Sequence, residues 1–123
     1  MIDYVIHGKE NLLYCNISGE VRALDFQNYV QDLLRDKDFH LELDAIIRIG
    51  GDLVVSYANE AAGIGKVFSE LLNQRTGILW AFITPNQITK SIVNLIMQEI
   101  DPAPISVAYF ESEEEAKSWI SAN

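Results

Sequence analysis

Residues 78–84 read ILWAFIT, six apolar side chains before the first polar one. Successive side chains of a strand point to opposite faces, so a strand here is apolar on both. It can exist in water only if both faces are covered. Runs of this kind belong to the centre of sheets with helices on each side. Spanning a bilayer takes about 20 apolar residues, so the cover has to come from the rest of the chain.

The rest of the chain supplies it. IDYVIH (2–7) and LLYCNIS (12–18) alternate. Leu13, Cys15 and Ile17 fall on one face of the second strand, and Tyr14, Asn16 and Ser18 on the other. Gly8-Lys9-Glu10-Asn11 between them suits a hairpin turn, so the two strands are antiparallel. The period then changes. Phe26, Val30, Leu33 and Leu34 recur at helical spacing within 22–36, with Asp25, Gln27, Gln31, Asp32 and Arg35 on the wet faces. DAIIRIG (44–50) is a third strand. Residues 57–74 form a helix whose buried stripe is Tyr57, Ala61, Ile64, Phe68, Leu71 and Leu72.

After ILWAFIT, the segment TPNQ (84–87) reads as a helix start, with Thr84 as cap, Pro85 in the first turn and Gln87 completing a capping box. Ile88, Ile92, Leu95, Ile96 and Ile100 form that helix's face, and DPAP (101–104) ends it. ISVAYF (105–110) is the last strand. In ESEEEAKSWI, Ser112 is an N-cap with Glu115 as its partner, and Glu113, Glu114 and Glu115 occupy the first turn, where the helix dipole favours acids. Ala116, Trp119 and Ile120 face inward. The acid run is therefore a helix start first, with an acidic docking patch as the other reading.

The expected architecture is one α/β domain over residues 1–123. It has a mostly parallel, mixed five-stranded sheet and four helices in the order β-β-α-β-α-β-α-β-α, joined by right-handed crossovers.

A net charge of −9 is the wrong sign for extended contact with nucleic acid or anionic membrane. One cysteine, Cys15, allows no internal disulfide and fits a reducing compartment. The start, MIDYVIHGKENLL, has no basic region before an apolar run, so no signal peptide is expected. Together these point to a cytoplasmic protein without membrane insertion.

No catalytic constellation is legible. His7 and His40 sit in no metal-ligand spacing, so neither a metal nor a cofactor is expected. GIGK (63–66) lacks the phosphate-loop spacing and lies inside a helix. A phospho-acceptor receiver would explain Thr84 at a strand end. The acidic pair after an early strand and the lysine after the last strand that such chemistry needs are missing. Enzyme candidates reduce to scattered carboxylates, Asp44, Asp52 and Glu60. Arg48 stands out in its strand, and the simplest expectation is pairing with a carboxylate near the strand end.

NEAAGIGKVFSELLNQ (59–74) follows the third strand, Gly19-Glu20 precedes the first helix, and YFESEEEAKSWI closes the chain. In these segments and in element order the chain resembles the STAS domain of SpoIIAA-type anti-sigma-factor antagonists, particularly stand-alone bacterial proteins. Family members carry a D-S-S-G-L-G-like stretch where this chain has Glu60-Ala61-Ala62-Gly63-Ile64-Gly65. The resemblance implies a regulatory module switched by phosphorylation of a serine at that helix start. Ala61 and Ala62 occupy the matching positions, and Ser56 lies before the helix and off the motif. A serine phosphoswitch is thus not expected.

The resemblance implies a partner- or ligand-binding surface at Asn59, Glu60, Ala61, Ala62, Gly63, Gly65 and Lys66. Two helical glycines each cost up to about 1 kcal/mol against alanine. Either close helix packing or a ligand or partner at the backbone has to offset that. The first expected function is binding of a protein partner without catalysis. The alternative is carriage or sensing of a small apolar ligand, as in lipid-binding relatives of this architecture. Helix faces consumed by the sheet leave no obvious dimer stripe, although a homodimer stays open.

Overall fold

The computed structural model describes residues 1–40, 42–55, 58–72, 78–98 and 105–123, with all of their side chains except those of residues 58, 59, 71 and 72. Among these residues, five strands form one sheet: β1 (Ile2–His7), β2 (Leu12–Ile17), β3 (Asp44–Ile49), β4 (Ile78–Ile83) and β5 (Ile105–Phe110). Their spatial order is β1-β2-β3-β4-β5; the first pair is antiparallel and the rest are parallel. The expected fold class, element order and antiparallel edge are all present. The turn after β1 is a short 3-10 segment, Gly8–Glu10, closed by Asn11 in the left-handed region (φ 56°), a conformation asparagine tolerates.

Sequential strands are spatial neighbours, so every crossover runs the same way and places its helix on the same face. Helices α1 (Ala23–Arg35), α2 (Ala58–Leu72) and α3 (Gln87–Met97) form that layer, α1 packing on α2 and α2 on α3. The last helix, α4 (Glu113–Ala122), crosses the opposite face over β3, β4 and β5. Strand β4 is thereby enclosed. Ile78, Trp80 and Phe82 enter the core under α1–α3, whereas Ala81 and Ile83 enter the core under α4.

An aromatic chain crosses the larger core, from Phe26 through Phe68, Trp80 and Phe82 to Tyr109, with centroid separations of 5.2, 5.3, 6.3 and 5.7 Å. Such pairs add roughly 0.5–1.5 kcal/mol each beyond area burial. In the smaller core, fully buried Ala116 lets α4 sit close to the sheet, and Trp119 packs against Phe110.

Two helix faces are rotated from expectation. Helix α1 buries Phe26, Tyr29 and Leu33, and Leu34 points outward at 59% exposure. Tyr29 takes its place, its ring packed edge-on against Tyr4 with centroids 5.7 Å apart and lining the core beside Cys15. Helix α3 buries Thr89, Val93 and Ile96 and turns Ile88 and Leu95 to solvent. Thr89 is tolerated there because its hydroxyl donates to the Asn86 carbonyl at 3.0 Å. Ile88 and Leu95, seven residues apart, give α3 an outward apolar stripe that the sequence reading did not anticipate. Tyr57, Ile100 and 101–104 lie outside the described residues.

The cap of α3 also moves. Thr84 N–H donates to Phe110 carbonyl oxygen at 3.1 Å, which carries the sheet ladder one residue past β4. Thr84 is still strand-like, and Asn86, the stronger capping residue, accepts from Thr89 N–H at 2.9 Å. Ser112 caps α4 as expected, accepting from Glu115 N–H at 3.3 Å, while the Glu115 carboxylate takes the Ser112 hydroxyl proton at 3.0 Å. Replacing Asn86 by Ala should lower stability by about 1 kcal/mol, read as a lower urea midpoint at constant m-value. An unchanged midpoint would return the cap to Thr84.

Candidate functional site

Helix α1 begins without a capping side chain of the usual kind. The Arg22 N–H is taken by Asp25 Oδ2 at 2.8 Å, and Ala23 N–H by Glu60 Oε2 at 2.7 Å. Glu60 belongs to α2, so one helix caps the next across 37 residues of chain. One turn along α2, a Cβ built at Gly63 would lie 2.9 Å from Ala23 Cβ. The start of α1 thus rests directly on the backbone of α2. Ala61, Ile64 and Gly65 are buried beneath this junction, Ala62 and Glu60 are half-buried, and Lys66 is exposed. Asn59 lies in the first turn of α2, its side chain outside the described set.

The seven expected site residues therefore divide. Ala61 and Gly63 serve packing, Gly65 is buried, and Glu60 serves the α1 terminus. Close packing is the demand that Gly63 meets. Ala62 and Lys66 reach the surface.

The same corner carries two residues that sequence reasoning missed. After β2 and β3 the chains pair briefly again: Val54 N–H donates to Gly19 carbonyl oxygen at 2.9 Å, and Val21 N–H to Val54 carbonyl oxygen at 3.0 Å. Gly19 is left-handed (φ 71°), as glycine permits, and donates its N–H to Asp52 Oδ1 at 3.1 Å. This pairing holds Val54, 47% exposed, against the segment leading into α1, in whose first turn Leu24 is 63% exposed. Leu24 sits out of phase with Phe26, Tyr29 and Leu33, and that was the available signal. Val54 lies in the short apolar run Leu53-Val54-Val55, which does not show which of the three is exposed.

The candidate catalytic carboxylates are not brought together. Asp44 accepts from Leu79 N–H at 2.9 Å at the start of β3. Asp52 lies beyond the other end, roughly 17 Å of strand away, and Glu60 is in α2. Each serves a backbone N–H of a neighbouring segment. Arg48 pairs with Glu113 at 3.7 Å near the end of β3. His7 packs edge-on to Tyr14, and exposed His40 lines the rim of the core cavity. Among the described residues no group of three or more His, Cys, Asp or Glu could hold a metal, and no helix is long and apolar enough to cross a membrane.

Between the sheet and α1–α3 lies an apolar cavity of about 70 Å³, lined by Cys15, Tyr29, Phe68 and Trp80 among others. Burial pushes the Cys15 thiol up to about 12. Burial also raises Tyr29, its neighbour in the cavity lining.

The chain matches no family model, no curated protein and no solved structure.

Gly63→Ala should destabilise the protein, despite the ~1 kcal/mol that alanine gains over glycine in a helix. The loss should shrink in an Ala23→Gly background by at least about 0.5 kcal/mol, measured as a double-mutant cycle in urea. Additive effects would place the clash elsewhere. The thiol gives a second expectation. Above pH 9, its ordinary value, Cys15 ionises in the unfolded chain but stays protonated in the folded one. The unfolded state then binds fewer protons, and stability falls as pH rises towards 12. Cys15→Ala should flatten that decline, and native Cys15 should react with thiol reagents only through opening.

Proposed function

We propose that this chain is a cytoplasmic, non-catalytic interaction module of the STAS type. It holds a protein partner on the corner formed by Leu24, Val54, Ala62 and Lys66. The carrying observation is the division of labour in α2. Its Gly63 and Glu60 lock α1 onto it, and Leu24 next to that junction, Val54 on the adjoining loop and Lys66 on α2 are exposed. Isolated exposed apolar residues are ordinary. Here two stand on segments joined by a short backbone ladder, beside the helix start that the family resemblance singles out.

The position matching the family's switch supports the same reading. Ala61 is buried and cannot carry phosphate, so partner choice rests on shape, apolar contact and the Lys66 charge. The net charge of −9 favours a partner whose own surface is basic at long range.

Carriage of a small apolar ligand is the second reading, and the core cavity is the observation behind it. Ligand pockets usually enclose about 300–1,000 Å³, against about 70 Å³ here. A lipid-sized guest would have to lift the helix layer off the sheet. Native mass spectrometry separates the readings, since an added mass lost on denaturation would favour the ligand.

The direct test places a photo-crosslinking residue at Leu24, Ala62 or, as control, Val5, which is exposed on β1. In cells, Leu24 and Ala62 should give one shared heteromeric adduct that Val5 lacks. Equal yield from Val5, or no adduct at the corner, would contradict the proposal.

A further inference from the structure

The opposite face of the sheet holds a second candidate, independent of the partner-binding corner. The β2–β3 and β3–β4 registers set Asn16, Arg48 and Ile83 side by side in one row. Arg48 shares the parity of Ile46, so it lies on the α4 face. Helix α4 begins only at Glu113, beyond the end of β5. A crevice of about 340 Å³ opens there, at the carboxyl ends of the parallel strands. Open α/β sheets habitually bind ligands at that end.

Its lining is specific. Arg48 is the one cationic residue in it, and its partner among the described residues is Glu113 at 3.7 Å, too long for a hydrogen bond and half exposed to water. The planar fork of donors is therefore available for bidentate recognition. Ile83 and Pro85 supply its apolar side, whereas the side chains of Ile17 and Ile49 belong to the core under α1–α3. Glu111, also lining the crevice, and Glu113 beside it set a limit on the negative charge a guest can bring.

The two glycines differ. A Cβ at Gly50 would meet Asp52 Oδ1 at 2.8 Å and Ser18 Cβ at 2.9 Å, so packing accounts for it. A Cβ at Gly51 would meet nothing closer than Pro85 Cγ at 3.9 Å. Packing does not require glycine at 51, and its absent side chain keeps the crevice open.

We infer that this crevice binds a small amphipathic monocarboxylate, with the carboxylate on the Arg48 guanidinium and an apolar body against Ile83 and Pro85. A dianion is disfavoured by Glu111 and Glu113. A neutral molecule of the same shape leaves the guanidinium unanswered.

The test is a titration of the ¹⁵N-labelled full chain, read by amide chemical shifts, with isobutyrate as probe. Isobutyramide serves as its neutral counterpart and inorganic phosphate as a dianion. Isobutyrate should give saturable shifts at Arg48, Gly50 and Gly51 with Kd of roughly 1–10 mM. Isobutyramide and phosphate should bind at least about tenfold more weakly. Arg48→Gln should weaken isobutyrate by a similar factor. Gly51→Leu should abolish its binding by filling the crevice, the dispersion of each spectrum reporting that the variant is folded. Absence of saturable shifts, equal response to isobutyramide, tighter binding of phosphate, or undiminished binding by folded Arg48→Gln or Gly51→Leu would each overturn the inference.

Discussion

Enclosure of β4 on both faces is the constraint from which the rest of this structure follows. Ile78, Trp80 and Phe82 need a cover on one side, and Ala81 and Ile83 need one on the other. Three crossovers in a single direction can supply only the first. The fourth helix has to return beneath the sheet, and buried Ala116 lets it lie close enough to do so. Burial of a large apolar side chain is worth roughly 1.5–3 kcal/mol, so leaving either face of β4 wet would cost more than any cap or ion pair described above.

That layering decides what α2 can be. Flanked by α1 and α3, it is the middle helix of its layer, and a middle helix has little surface to offer. Its glycine at position 63 is used to bring Ala23 close, and its first-turn acid is used to cap α1. Recognition falls to what the junction displays rather than to what forms it. The crevice beside Arg48 has the same origin. Helix α4 covers Ile83 on β4 but starts past the strand ends, so Asn16 and Arg48 in the same row stay exposed.

Most of the fold was legible because its signals are local. The switch from period two to helical spacing marked the elements, and the doubly apolar ILWAFI marked the centre. Errors arose where tertiary contact chose between equally periodic solutions. Tyr29 and Leu34 both fit an α1 stripe, and contacts across the core, the Tyr4 ring among them, favour the tyrosine. Thr84 and Asn86 both fit a cap, and the hydrogen bond from Thr84 to β5 decides between them. The candidate site was legible as a segment but not as a surface. The family resemblance singled out 59–66, yet could not show that Glu60 reaches back to Ala23, or that Val54 pairs with Gly19 and Val21 ahead of α1. Both facts depend on residues more than 30 positions apart.

Amide hydrogen exchange, resolved by residue, tests the enclosure of β4 most directly. If both helix layers seal it, the β4 amides exchange only through global unfolding and match the stability from urea. The α4 amides should follow closely, and the edge strand β1 should exchange through smaller openings. Exchange of β4 at free energies well below the global value, with α4 opening freely, would contradict the two-sided core and the crevice and corner derived from it.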